Sequence, residues 1–224
     1  SLKNTVVFTV ITVPLQTAGS LVLAAVIAEL FHNKFGNFVK SSLFVPVIAS
    51  AILVGTLWFT LLSPRGVVNS IIHAFGLPSV NWLGGKLTSM LSVCIVSVWK
   101  NVGYFLVIYF AGIMDIPRSL YEAAEVDGAN AFQRFFKITL PGLSSVTFLV
   151  VTLGTIWSFQ VFDLVYTMTG GGPGTSTVTL VLTTYNAAFK EYNMGYASAV
   201  AMLMFVFVLA VSGLQKLLLK GGED

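Results

Sequence analysis

Residues 87–113, LTSMLSVCIVSVWKNVGYFLVIYFAGI, decide the class of fold: the run is predominantly apolar and carries one charge, Lys100. At 1.5 Å of rise per residue, a helix of this length crosses the roughly 30 Å of a bilayer's hydrocarbon core. Working outward, residues 5–28, 41–62, 143–166 and 195–219 are of the same kind, each long enough for the roughly 17–25 residues that a spanning helix needs. The whole chain of 224 residues is 56% hydrophobic and 9% charged, with 18 phenylalanines. Soluble domains carry about 25% charged residues, so a soluble fold is excluded. Strands of a membrane barrel alternate polar and apolar residues over about ten positions, and these runs do not. The expectation is an all-α membrane bundle of about five transmembrane helices in one domain, 1–224.

Between the third and fourth runs lies a charged island, residues 115–141, whose core reads YEAAEVDGANAFQRFFKITLP from Tyr121 to Pro141. Asp115 before Pro117 resembles an N-cap followed by a first-turn proline, and Arg118 and Glu122 stand four apart, as an ion pair along a helix requires. Gly128 suits a left-handed C-terminal position, and Asn130 with Gln133 has the spacing of a capping box. A helix, a turn and a second short helix are expected. Leu120, Ala123 and Ala124 make a small-residue face open to close approach. Phe132, Phe135 and Phe136, with Arg134 and Lys137, suit a boundary helix, and Pro141 the first turn of the fourth span.

Charge placement orients the chain. Lys34, Lys40, Arg118, Arg134, Lys137, Lys216 and Lys220 fall on the side of the 115–141 loop, against Lys3, Arg65, Lys86 and Lys190 on the other. The positive-inside rule then places that loop and the C-terminus in the cytoplasm. The first residues lack the basic start and cleavage site of a signal peptide, so 5–28 is read as a membrane span.

Glu122-Ala123-Ala124, then Gly128, then Ile138, Leu140 and Pro141 resemble the EAA loop of ABC importer membrane subunits. Similar residues recur along essentially the whole chain: Asn4-Thr5, 43–46, Trp58, Trp82-Leu83, Trp99-Lys100, Ile116-Pro117, 159–163, 169–173 and 195–199. Together they resemble the carbohydrate-importer branch, and within it the larger maltose-transporter-type subunit. The resemblance implies a permease of the bacterial or archaeal inner membrane with the type I importer fold. It implies one more N-terminal helix than the sequence contains. Its partners would be a similar but non-identical second permease, two cytoplasmic ATPase subunits that hold ATP and Mg, an external solute-binding protein and a sugar. Leu120, Tyr121, Glu122, Ala123, Ala124, Asp127, Gly128, Ala129 and Phe132 would couple to the ATPase. This chain would bind no cofactor and catalyse nothing itself.

Polar groups within the spans are the candidates for a solute pathway, because a buried polar group in a bilayer is costly without a partner or water. Trp99, Lys100, Asn101 and Tyr104 cluster in the third span, and Trp157, Ser158, Gln160 and Asp163 in the fourth; Gln16 and Trp58 are weaker candidates. Phe159 and Phe162 read as packing residues. Residues 67–75 suggest a small interfacial helix in an external loop, and 179–192 a similar element. The glycine-rich TGGGPGTST lacks the Lys-Ser/Thr ending of a P-loop and reads as an external turn. One cysteine, Cys94, in an apolar run excludes an internal disulfide and a Cys-based metal site, and His32 and His73 alone suggest no metal centre. No nucleic-acid partner is expected. A glycerol-phosphate or polyol importer subunit of the same family is the near alternative. An ion-coupled secondary transporter is the distant one, but it would usually place more ionisable groups at mid-membrane.

Overall fold

The structure is a computed structural model that describes residues 1–30 and 34–220. His32 lies outside the described residues, as do the side chains of Lys34 and Lys220. The described residues form helices and turns with no strand. Among the described residues, three helices are long and apolar enough to cross a membrane, and up to five spans result if each of two bent pairs counts as one. The three are α1 (Leu2–Leu30), α5 (Lys86–Asp115) and α12 (Met194–Lys220).

The second expected span is not one helix. It consists of α2 (Lys34–Ile48) and α3 (Ala51–Leu61), which meet at 96°. Pro46 has no N–H to bond the preceding turn, and Ser50 takes an extended conformation (φ −55°, ψ 135°). Helix α2 also begins ahead of the expected span, at Lys34 rather than near residue 41. The fourth expected span, 143–166, is likewise interrupted. Helix α9 (Ser144–Phe159) stops at Gln160, and a separate α10 (Asp163–Met168) comes after it. No proline or glycine marks this second break. The carbonyl it frees on Val161 accepts from Thr179 Oγ1 at 3.2 Å, which meets the demand that backbone polar groups in a bilayer find partners.

Helix α1 is the central element, packed on α5 and α9. Two apolar clusters hold it. One gathers Phe8, Val93, Leu164 and Met168; the other gathers Leu21, Phe105, Tyr109 and Leu143 near the charged loop. Helix α5 approaches α2 closely at Gly103, where even a methyl group would overlap the Leu43 carbonyl. The 63–85 loop carries the expected small helix, α4 (Val67–Ala74). Its Asn69, 1% exposed, ties that loop together by donating to the Ser63, Pro64 and Val80 carbonyls and accepting from Val80 N–H at 3.0 Å.

The glycine-rich turn is well bonded rather than loose. Gly171, at φ 94°, adopts a conformation open to glycine, and its carbonyl accepts from Thr177 N–H at 3.1 Å. Asn4 Nδ2 of α1 donates to the Thr175 and Val178 carbonyls at 2.8 and 3.0 Å. Beyond it run α11 (Leu180–Tyr185) and a π-helical turn, Asn186–Lys190.

Candidate functional site

Two sites take shape, one in the bundle and one at its charged end. In the bundle, both helix breaks open onto the same cavity of about 210 Å³. Ala51 borders it from the first break and Gln160 to Leu164 from the second; Gln16, Ser97, Lys100, Asn101, Trp157 and Ser158 complete the wall. Irregular backbone at membrane depth is tolerated where it lines a cavity or is buried in protein. Lys100 Nζ donates to the Val47 carbonyl at 3.2 Å, close to the end of α2, where a cation faces the negative pole of the helix. Asn101 Nδ2 reaches Ser97 Oγ at 3.5 Å. Gln16, 2% exposed, lies under Gly154, where an added Cβ would collide with its Nε2.

The structure thus brings together six of the pathway candidates, Lys100, Asn101, Trp157, Ser158, Gln160 and Asp163, with the weaker candidate Gln16. Trp99 and Tyr104 do not line the cavity. Trp99 turns to Trp58, the rings edge to face with centroids 5.4 Å apart, and Tyr104 packs on Trp157 at 4.9 Å. Phe162, expected as packing, is on the wall, as are Ser97 and Ala51. Ser97 could have been found from its spacing, because it sits one helical turn before Asn101. Ala51 carries no such signal.

At the charged end, α6 (Arg118–Val126) is a helix with no buried residue. It ends as Gly128 suggests. Gly128 has φ 75°, its N–H donates to the Glu125 carbonyl at 3.0 Å, and Ala129 N–H reaches the Ala124 carbonyl at 2.8 Å. This is the paired bonding of a Schellman turn. The capping box is also formed: Gln133 N–H donates to Asn130 Oδ1 and Asn130 N–H to Gln133 Oε1, both at 2.9 Å. It opens α7 (Ala131–Arg134), which leads into a π-helical turn, Phe135–Thr139, and the short α8 (Leu140–Gly142).

Three local expectations are corrected. Asp115 is the last residue of α5 rather than a cap; Pro117 holds the N-cap position of α6, with no side-chain hydrogen bond. Pro141 belongs to α8, in a segment bent 70° from α9, so it does not open the fourth span. Arg118 and Glu122 form no ion pair among the described residues. The pairs found join Arg134 to Glu29 and to Glu125. Tyr121 Oη and Thr139 Oγ1 lie 2.9 Å apart, a further link from α6, here to the 135–139 turn. Of the coupling candidates, Leu120, Glu122, Ala123, Asp127, Gly128 and Phe132 are exposed, while Tyr121, Ala124 and Ala129 are half-buried.

A bundle of continuous and broken apolar helices around a polar cavity, with a capped helix outside it, is the architecture of a multi-pass membrane protein. The chain belongs to the family of binding-protein-dependent transport system inner membrane components, whose model matches residues 4–221. It is 38% identical to the probable ABC transporter permease protein YurN of Bacillus subtilis over 227 residues, covering 100% of this chain and 78% of that one. It is 35% identical to the trehalose/maltose transport system permease protein MalF of Thermococcus litoralis, covering 92% of this chain and 69% of the relative. Its fold matches a crystal structure of a bacterial alginate ABC transporter in complex with an alginate pentasaccharide-bound periplasmic protein. The TM-score is 0.88 at 24% identity, over 96% of this chain and 76% of that one.

Proposed function

We propose that the chain is the permease subunit of a carbohydrate importer, forming half of a pathway for a sugar or oligosaccharide and coupling it to ATP hydrolysis on partner subunits. The observation that carries this reading is a helix, α6, bonded at its C-terminal end yet without one buried residue. Such a helix is ordered for a partner rather than for its own bundle. Leu120, Glu122 and Ala123 offer that partner a short acidic and small-residue face, and Gly128 supplies the turn behind it. A second membrane subunit, two ATPase subunits carrying ATP and Mg, and an external binding protein complete the assembly, with the 115–141 loop in the cytoplasm. Relatives named for sugars, and a matching fold held with a saccharide-loaded periplasmic protein, support the substrate class.

In the cavity, Gln16, Asn101, Ser158 and Gln160 supply amides and hydroxyls to a hydroxyl-rich solute, and Trp157 supplies a flat apolar face. Rocking of the two membrane subunits would expose that cavity to each side in turn. The test is co-purification of the extracted chain with its partners, with ATPase assays on binding proteins loaded with different sugars. Stimulation by one loaded protein supports the reading and names the sugar. Absence of any associated ATPase refutes it.

A further inference from the structure

Arg134 stands between the C-terminal turns of two helices distant in sequence. Its guanidinium, with the side chain 15% exposed, pairs with Glu29 in the last turn of α1 and with Glu125 in the last turn of α6. A helix C-terminus is the negative pole of its dipole and favours cations. Each of these two carries a carboxylate there and no basic residue of its own. Arg134 supplies from a third element the cation that both ends lack, and its planar fork of donors can serve two carboxylates at once, as a lysine cannot.

Among the described residues this is the one ion-paired link from α6 to α1. Helix α6 has no fully buried residue; its half-buried Tyr121 packs against the apolar cluster around Leu21 and Leu143, and the hydrogen bond of Tyr121 to Thr139 runs only to the neighbouring 135–139 turn. Helix α1 packs on α5 and α9 and places Gln16 on the cavity wall. We propose that Arg134 is a positioning residue that locks the coupling helix to the first span, so that α6 and α1 move as one piece when the ATPase subunits close. The proposal rests on the coupling role of the 115–141 loop, and a rigid connection is what lets a displacement outside the bundle reach a site within it.

The test uses nitroxide labels at Val22→Cys on α1 and Val126→Cys on α6, both exposed, with Cys94→Ala, and pulsed dipolar spectroscopy of the full chain in nanodiscs. A narrow distance distribution is expected. Arg134→Gln should broaden it roughly twofold or more, as a helix without its long-range tether samples more orientations. Arg134→Lys should lie between, and the inverted triple Glu29→Lys/Arg134→Glu/Glu125→Lys should restore the narrow distribution. An unchanged width in Arg134→Gln, or no restoration by the triple, overturns the proposal. In the assembled transporter, Mg-ATP with vanadate should leave the distance unchanged with Arg134 in place and shift it in Arg134→Gln. A shift with Arg134 in place also overturns it. If no ATPase subunit assembles, the functional reading fails, while the width measured on the chain alone still decides the role of Arg134.

Discussion

Gly103→Ala tests the packing that shapes the cavity. Gly103 is buried on α5 where it crosses α2, and an added Cβ would overlap the Leu43 carbonyl oxygen, 2.7 Å from its carbon and 3.2 Å from Phe44 Cα. All three neighbours are backbone, so no side chain can rotate away. An ordinary carbon-to-oxygen contact needs about 3.3 Å, and helix α2 must therefore retreat as a body. Overpacking of this kind costs about 1–3 kcal/mol. The retreat also stretches the Lys100 to Val47 hydrogen bond, which starts at 3.2 Å. In a chain of this size each kcal/mol moves the melting midpoint by roughly 2–4 °C, so a loss of several degrees is expected in thermal unfolding of the detergent-purified chain. Gly213→Ala is the matched control: it lies within α12 with open space at its Cβ, and alanine there should add about 0.5–1 kcal/mol. If Gly103→Ala melts with the parent, the close crossing and the reasoning built on it are wrong.

Other expectations are more local. Asn130→Ala removes half of the capping box and should cost about 1 kcal/mol, seen as faster amide exchange over residues 131–134. Glu122→Lys and Gly128→Pro should abolish ATP-driven uptake while the chain still inserts; retained uptake in both would argue against α6 as the coupling helix. Asn101→Ala should alter uptake with the ATPase still bound, whereas Trp99→Phe, off the cavity, should leave uptake near the parent rate. Asn4→Ala deletes two donors to the glycine-rich turn and should destabilise by about 1–2 kcal/mol, detected as a lowered melting midpoint.

Length and hydropathy made the membrane class legible, and single residues made the charged loop legible: Gly128 and the Asn130-Gln133 pair act within a few positions, so spacing alone reveals them. The breaks were harder. Pro46 did signal the first, but an apolar run of spanning length hid it. The second, at Gln160, has no proline or glycine and depends on Thr179 reaching back to Val161. Asp115 and Pro117 misled because an N-cap pattern also fits the end of a preceding helix. For the cavity, composition found Lys100, Asn101 and Asp163 but could not say which side of α5 turns inward, and so Trp99 and Tyr104 were grouped with them. Arg134 looked like a boundary charge because Glu29 lies 105 residues away, beyond any local pattern.

The fit of Gln16 beneath Gly154 makes two positions distant in sequence share one space. Because a methyl group at position 154 would occupy the place of the Gln16 amide, alanine there would require the amide to turn away from its present position, a shorter residue opposite, or an outward shift of the first span. The amide that Gln16 presents to the cavity therefore holds its place only while position 154 stays bare, and the reach of one helix into the pathway is set by what its neighbour leaves out.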